Sequence, residues 1–323
     1  MKHYIGVDLG GTNLRAAIVN TDTGEISHQR KCPTFAAEGQ ASVIQRMVQL
    51  IGELTELGGI SDCDIRGVGI GVPGTPDIDK GIIEFLPNLP GRWPNVPLQA
   101  MVEEQVQLPV ALINDVRALT LGEWKFGAGR GAVTVVCLAI GTGIGGGVVV
   151  NGQFHLGIGG TAGEFGHHVV EVDGLPCGCG GRGCLELYAS GPAIAAMGVK
   201  EVMHGHTTRI GEFVNYDLNK IDAGVIIQAA TEGDRLAQSI LQRAGMYLGI
   251  AVGNILGVIS PQRVIFGGGV SRAGDLLLTP IVQTVKERVH VIPLEKVQFV
   301  LAELGINGGL AGAALWARHR YEG

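Results

Sequence analysis

Three cysteines and two histidines lie close together in one glycine-rich stretch of the sequence, GEFGHHVVEVDGLPCGCGGRGCLE, from Gly163 to Glu186. Thiolates and imidazoles are preferred zinc ligands, and four of them around the ion form a structural site. The candidate ligands are His167 or His168, together with Cys177, Cys179 and Cys184. The alternatives are a disulfide with a free thiol, or three unrelated buried cysteines. Both are disfavoured because the sequence shows no secretion signal and cytosolic thiols stay reduced.

Two glycine-rich turns between apolar runs are candidate phosphate-binding hairpins. The runs YIGVDLGGTNLRAAIVN (4–20) and VVCLAIGTGIGGGVVVN (135–151) share one arrangement, which predicts two related domains that bind one nucleotide. Backbone N–H groups in such turns can bind phosphate, and Asp8 at the end of the first strand could hold Mg²⁺. The alternative is two unrelated hairpins. The candidate phosphate ligands are Gly10, Gly11, Thr12 and Asn13 in the first turn, and Gly141, Thr142 and Gly143 in the second.

Asn114 and Asp115 follow a short apolar strand that begins at Val110. Ligands of α/β proteins gather at the carboxyl ends of buried strands. An aspartate there can accept the proton of a substrate hydroxyl as it attacks the γ-phosphate of a nucleotide. The same dipeptide could cap the following helix, and the two roles are compatible.

The remaining pattern places these residues on regular elements. Apolar spacing predicts helices over 42–57, 185–202 and 234–259, and a last helix that begins in the glycine cluster 305–312 and runs to residue 320. The run 263–275 predicts a strand, three glycines and a helix start, with the bare backbone of Gly267, Gly268 and Gly269 open to a flat base or a phosphate. Residues 205–220 are predicted to be an exposed excursion without chemistry.

Length and composition limit the class of protein. The chain has 323 residues, 46% of them hydrophobic and 17% charged, which is typical of a globular protein with room for two domains. A net charge of −6 argues against nucleic-acid binding. No apolar run is long enough to span a membrane, and Asp8 comes too early for a signal peptide, so we expect a cytoplasmic protein.

The zinc motif also carries a family resemblance. The run Gly163-Glu-Phe-Gly-His167, followed by Cys177-x-Cys-Gly-Gly-x-Gly-Cys184-Leu-Glu186, resembles the signature of the ROK family of bacterial sugar kinases and sugar-responsive repressors. The hairpin pair resembles the hexokinase, Hsp70 and actin superfamily. The resemblance implies an α/β fold in which two ribonuclease-H-like (actin-like ATPase) domains flank a central cleft. It divides the chain into a small domain, 1–117, with the helix 306–323 packed on it, and a large domain, 118–305, that carries the zinc motif.

The activity implied by the resemblance is ATP-dependent phosphorylation of a hexose at the C6 hydroxyl, with glucose as the first expectation. A kinase for N-acetylmannosamine, N-acetylglucosamine or fructose is the alternative. A repressor is disfavoured because no helix-turn-helix precedes Asp8. Relatives in the family are commonly homodimers or homotetramers, and the expected partners are the sugar and ATP, with neither nucleic acid nor membrane.

The resemblance also assigns roles residue by residue. Asp115 is the base, Gly267–Gly269 face adenosine, and His167 rather than His168 joins the cysteines on a structural zinc. The residues implied to bind the sugar are Asn88, Asn114, Asp115, Glu164, His167 and Glu186.

Overall fold

The computed structural model describes residues 2–60, 64–87 and 89–322 of the chain. The strands are β1 His3–Leu9, β2 Asn13–Asn20, β3 Ile26–Pro33, β4 Ile65–Val72, β5 Thr75–Asp77, β6 Ile82–Phe85, β7 Val110–Asn114, β8 Val135–Ile140, β9 Ile144–Val150, β10 Gln153–His155, β11 Arg263–Gly267 and β12 Gln298–Leu301. The helices are α1 Gln40–Ile60, α2 Leu98–Val106, α3 Asp115–Phe126, α4 Glu186–Ala189, α5 Gly191–Met203, α6 Arg209–Phe213, α7 Ala223–Thr231, α8 Arg235–Ile259, α9 Asp275–Arg288 and α10 Asn307–Glu322. None of these helices has the length and apolar character needed to cross a membrane.

The chain folds into two compact units. Unit 1 comprises Met1–Gly131, Phe154–Ala162 and Glu303–Gly323, and unit 2 comprises Ala132–Gln153 and Gly163–Ala302. The sequence-based boundary at residue 117 falls inside α3, whereas the contacts assign the whole of that helix to unit 1. The chain therefore passes between the units four times, after residues 131, 153, 162 and 302.

Each large sheet is built on the same plan. The order β3-β2-β1-β4-β7 in one sheet corresponds to β10-β9-β8-β11-β12 in the other. The first hairpin of each, β1–β2 and β8–β9, is antiparallel, whereas β4 and β11 run parallel to the strand beside them. The repeat read from the sequence thus corresponds to two sheets with the same topology, and the predicted α/β class is confirmed.

The apolar residues of the strands and long helices form the cores. In unit 1, the sheet packs with α1 and α2 into one cluster, and α10 packs with α3 in a second. In unit 2, α8 supplies a continuous apolar face that includes Ile240, Leu248 and Ile255, as its periodicity predicts. The sites described below thus stand on elements with buried, rigid supports.

Two sequence-based predictions after the zinc motif were wrong. The predicted helix over 185–202 is two helices, α4 and α5, because Ser190 adopts an extended conformation and its side chain caps α5 just ahead of Pro192. The predicted exposed excursion over 205–220 contains α6, whose Ile210 is fully buried. Thr208 caps that short helix, a local signal that hydrophobic periodicity does not detect.

Candidate active site and metal centre

Asn114 and Asp115 lie where β7 ends and α3 begins, as predicted. The Asn114 side-chain oxygen accepts hydrogen bonds from the backbone N–H groups of Val116 at 3.0 Å and Arg117 at 3.1 Å, so it caps α3. Its amide nitrogen donates to Asp115 Oδ1 at 3.1 Å and to the carbonyl of Gly74 at 3.0 Å. The capping role and the site role anticipated for this dipeptide are therefore compatible in the structure.

The Asp115 carboxyl has an unusual proton affinity. Burial, reinforced by the negative charge of Asp8, raises its pKa from 3.8 to about 7, although the N–H of Val116 and the charge of Arg117 oppose the shift. A carboxyl with a pKa near neutrality is suited to general base catalysis, because a large fraction is ionised near neutral pH and the carboxylate binds a proton more strongly than an ordinary aspartate does.

Asp8 has a cationic partner that the sequence analysis missed. Asp8 pairs in register with Arg15 across the β1–β2 hairpin, and Arg15 Nη1 lies 3.3 Å from Asp8 Oδ2. Burial raises the pKa of Asp8 although Arg15 acts in the opposite direction. The signal was available in the sequence, because a turn centred between Gly11 and Thr12 places residue 15 opposite residue 8 in an antiparallel pair. A guanidinium here could bind phosphoryl oxygens as well as the carboxylate.

Each predicted phosphate turn is closed by a backbone hydrogen bond donated by its first glycine, which spans three positions in the first turn and two in the second. Gly10 N donates to Asn13 O at 3.0 Å in unit 1, and Gly141 N donates to Gly143 O at 2.9 Å in unit 2. Gly11, Thr12, Thr142 and Gly143 at the tips are exposed. Both turns therefore present backbone to solvent, which is the condition for binding a phosphate.

The third glycine cluster follows β11 in unit 2. Gly268 has φ +86°, and a Cβ atom there would lie 2.4 Å from the carbonyl oxygen of Ile140. Only glycine fits this close approach. Gly268 and Gly269 are exposed, whereas Gly267 is buried at the end of the strand.

One histidine and three cysteines converge in unit 2. The ligand atoms of His167, Cys177, Cys179 and Cys184 all lie within 4.8 Å of one another. Cys179 Sγ and Cys184 Sγ are 3.7 Å apart, and His167 Nδ1 is 3.8 Å from Cys177 Sγ. A tetrahedral zinc with Zn–S bonds of about 2.3 Å would separate its sulfurs by about 3.8 Å. The donor set and its spacing fit this metal.

The three thiols of the cluster have shifted pKa values. Burial raises the pKa of Cys177, and burial with the neighbouring thiols raises the pKa of Cys184 to about 12. The pKa of Cys179 is lowered, chiefly by the backbone N–H of Gly181, which lies 3.4 Å from the sulfur. Metal binding would displace the protons that these thiols otherwise retain.

The structure distinguishes the two histidines that spacing alone could not separate. His167 belongs to the four-residue cluster, whereas the His168 ring packs edge-on against Phe165 at 5.4 Å, and burial lowers its pKa. The neighbours differ because residues 165–167 form a short 3-10 helix, after which His168 continues in an extended conformation.

The glutamates of the motif lie in unit 2 with the cluster. Glu186 begins α4, and its Oε1 is 3.7 Å from His167 Nδ1 and 3.4 Å from Cys177 Sγ. A Cβ atom on Gly143 would lie 3.2 Å from Glu186 Oε2, so the second phosphate turn is next to this carboxylate. Glu164 is exposed at the start of the 3-10 helix. Asn88 falls outside the described residues.

Each unit therefore gathers part of the predicted set. The residues in unit 1 are Asp8, Gly10, Gly11, Thr12, Asn13, Asn114 and Asp115. Those in unit 2 are Gly141, Thr142, Gly143, Glu164, His167, Cys177, Cys179, Cys184, Glu186, Gly267, Gly268 and Gly269.

Comparison with known proteins gives the family. The sequence matches the model of the ROK family over residues 4–320. It is 38% identical over 319 residues to a glucokinase of Thermotoga maritima, with 99% of this chain and 98% of the relative covered. It is 35% identical over 313 residues to a glucokinase of Halalkalibacterium halodurans, with 96% and 93% covered.

A solved structure extends the likeness to the fold. The crystal structure of a ROK family glucokinase from Streptomyces griseus in complex with glucose and AMPPNP has a TM-score of 0.85 to this chain at 33% identity, with 98% of this chain and 99% of that chain covered. The predicted actin-like ATPase fold class is confirmed by this likeness. Since the family model spans nearly the whole sequence and the relatives match over their full length, the chain belongs to the ROK family.

Proposed function

We propose that this chain is an ATP-dependent hexokinase that phosphorylates the C6 hydroxyl of glucose. The observation that carries the proposal is the Asp115 carboxyl at the end of β7, whose pKa is raised to about 7. The full-length similarity to glucokinases supports both the phosphoryl donor and the sugar. A carboxylate in this setting accepts the hydroxyl proton as the sugar oxygen attacks the γ-phosphoryl group.

The residues proposed to bind the phosphate groups of the nucleotide are those of the two glycine turns, together with Asp8 and Arg15. In the turns Gly10–Asn13 and Gly141–Gly143, the exposed tips Gly11, Thr12, Thr142 and Gly143 would offer backbone N–H donors to phosphate oxygens. The glycines Gly267–Gly269 would leave room for adenosine. The Asp8 carboxylate is a suitable ligand for Mg²⁺, which when bound would neutralise charge on the phosphates. The Arg15 guanidinium adds a fixed positive charge beside this carboxylate.

The sugar is proposed to bind to polar side chains that can orient its hydroxyl groups by hydrogen bonds. The side chains proposed to bind it are Asn88, Asn114, Glu164, His167 and Glu186. His167 could serve both ligands, because Nδ1 faces the cysteines and Nε2 remains for a sugar hydroxyl. Polar groups that become covered when the sugar binds would reject a sugar that leaves them without a partner, so this set would also determine specificity.

Zinc is assigned a structural role at His167, Cys177, Cys179 and Cys184. Four protein ligands fill a tetrahedral zinc, so no position remains for a catalytic water. The ion would fix the orientation of His167 and, through the cluster, of Glu186. A cytoplasmic location, assembly into a homodimer or homotetramer, and the correspondence of the two units to the two predicted domains remain predictions.

The proposal is tested by assaying the purified protein with Mg-ATP against glucose, mannose, fructose, N-acetylglucosamine and N-acetylmannosamine. We expect the highest kcat/KM with glucose, and we expect glucose 6-phosphate as the product by NMR. Preference for an N-acetyl sugar would keep the mechanism and change the substrate. No turnover of any of these sugars by folded, zinc-loaded protein would contradict the proposal.

The raised pKa of Asp115 predicts a pH dependence of the reaction. Because the base must be ionised, kcat/KM with glucose should fall about tenfold per pH unit below the pKa of about 7 and level off above it. The folded chain holds this proton more tightly than the unfolded chain does. Ionisation of Asp115 therefore lowers the free energy of unfolding as the pH rises from 3.8 towards about 7.

An Asp8→Asn variant separates the two causes of the raised pKa of Asp115, which are burial and the charge of Asp8. Removing the negative charge of Asp8 should lower the pKa of Asp115, and the midpoint of the residual activity should move to lower pH. A wild-type midpoint near 4 would show that the essential base is not a perturbed carboxyl.

A further inference from the structure

Helix α3 begins at the proposed base Asp115. Two of its charged side chains are buried inside the protein. Arg117 is 5% exposed and Glu123 is fully buried. Burying a charge is costly unless the charge is well partnered, so the groups that these side chains bind are informative.

Arg117 binds the chain at one of its passages between the units. Its Nε donates to the carbonyl oxygen of Ala162 at 3.2 Å. Ala162 is the last residue of unit 1 before the chain enters unit 2, and Glu164 follows two residues later. Arg117 itself is two residues from Asp115. A short covalent and hydrogen-bonded path therefore connects the base to the segment that contains a proposed sugar ligand.

Glu123 binds the chain near two further passages. Its Oε1 accepts from Leu304 N at 2.8 Å and its Oε2 from Glu303 N at 3.1 Å, just after the chain re-enters unit 1 at residue 303. The same Oε2 accepts from Ala128 N at 2.9 Å, a few residues before the chain leaves unit 1 after Gly131. One buried carboxylate thus fixes two segments that are far apart in sequence.

Helix α3 is itself firmly held within unit 1. A Cβ atom on Gly312 would lie 1.7 Å from the carbonyl oxygen of Ala118, and one on Gly122 would lie 2.1 Å from that of Gly308. The backbones of α3 and α10 are therefore in direct contact, which leaves little space for α3 to shift. The side chains of such a helix can act as fixed anchors.

We infer that Arg117 and Glu123 are positioning residues, which hold three segments of unit 1 in a fixed arrangement relative to the base on α3, each segment lying next to a point where the chain leaves or enters that unit. The inference rests on the proposed function and adds to it. Phosphoryl transfer needs the base, the sugar ligands and the phosphate ligands in one geometry, and misplacement by about 1 Å can cost on the order of 100-fold in rate. Substrate contacts made within each unit do not need these anchors, so binding should be less affected than turnover.

The test uses Arg117→Lys and Glu123→Gln, with Lys125→Gln as the matched control on the same helix. Lysine keeps the charge near Asp115 but lacks the Nε donor of arginine, and glutamine keeps the volume of Glu123 but replaces one accepting oxygen by a donor. Lys125 is exposed. In variants shown to be folded at the assay temperature by circular dichroism and thermal melting, we expect kcat to fall about 10- to 100-fold. The KM values for glucose and ATP should change by less than about threefold, and the control should match the wild type.

Amide hydrogen exchange gives a second readout that does not depend on activity. The N–H groups that lose their acceptor, either that of Leu304 or those of Ala128 and Glu303, should exchange faster in Glu123→Gln than in wild type or in Arg117→Lys. Folded variants with kcat within about twofold of wild type, or a loss of kcat that follows only the unfolded fraction, would overturn the positioning role. If the wild type phosphorylates no sugar, the proposed function fails. In that case, unchanged exchange at these three amides in Glu123→Gln would show that Glu123 does not anchor these segments either. Faster exchange would support the anchoring role independently of the activity.

Discussion

Replacing Asp115 with asparagine should nearly abolish sugar phosphorylation. Asparagine keeps the size of the side chain but cannot accept the hydroxyl proton, and removing a general base typically costs on the order of 100- to 10,000-fold in rate. Sugar binding should survive, because Asp115 is one of several proposed sugar ligands. The measurements are kcat with glucose and Mg-ATP, and the glucose dissociation constant by calorimetry.

A matched variant shows whether any loss is specific to Asp115. Asp79→Asn makes the same chemical change at a carboxylate that pairs with Arg320 on the surface of unit 1, and it should leave kcat unchanged. If Asp115→Asn retains more than about a tenth of the wild-type kcat, Asp115 is not the base.

Replacing Cys179 with serine should weaken metal binding and destabilise unit 2. Cys179 is exposed, so the substitution creates no cavity, and its main effect is the loss of one ligand. Binding of structural zinc is worth about 10–16 kcal/mol, so one ligand of four accounts for roughly 3 kcal/mol, or about a hundredfold in zinc affinity. The KM for glucose should also rise, because His167 and Glu186 adjoin the cluster. Zinc content by elemental analysis, thermal melting and glucose kinetics measure these effects.

Cys32→Ser is the control for the zinc prediction. Cys32 is a half-buried free cysteine on β3 of unit 1, outside the cluster, and its serine variant should keep the zinc. Cys179→Ser should lose its zinc to a chelator at about a hundredfold lower chelator concentration than the wild type or Cys32→Ser. Equal resistance of Cys179→Ser to the chelator would contradict the four-ligand site.

Local pattern predicted most of the elements that carry the site. The repeated hairpin, the strand that ends at Asn114 and the long helix α8 follow from apolar periodicity and turn residues, and the structure has each of them. Patterns of this kind are local, since each depends on residues a few positions apart. Between residues 185 and 220, hydrophobic periodicity did not predict the elements correctly. The side chains of Ser190 and Thr208 cap α5 and α6 there and determine where these helices begin.

The residue types and their order by themselves were enough to predict the chemistry of the site. Three cysteines with a histidine upstream predict a zinc site, and an aspartate after a buried strand predicts a base, whatever the arrangement of the rest of the chain. The register of the first hairpin also determines that Arg15 faces Asp8, although the sequence analysis did not use it.

Only the tertiary structure decided which groups meet. Whether His167 or His168 joins the cysteine cluster depends on a single turn of backbone. The pKa of Asp115 depends on burial and on the charge of Asp8, which lies on another strand of the same sheet. The contacts of Glu123 with Glu303 and Leu304 join residues about 180 positions apart. Such contacts are set by how whole elements pack, and no local sequence pattern records that packing.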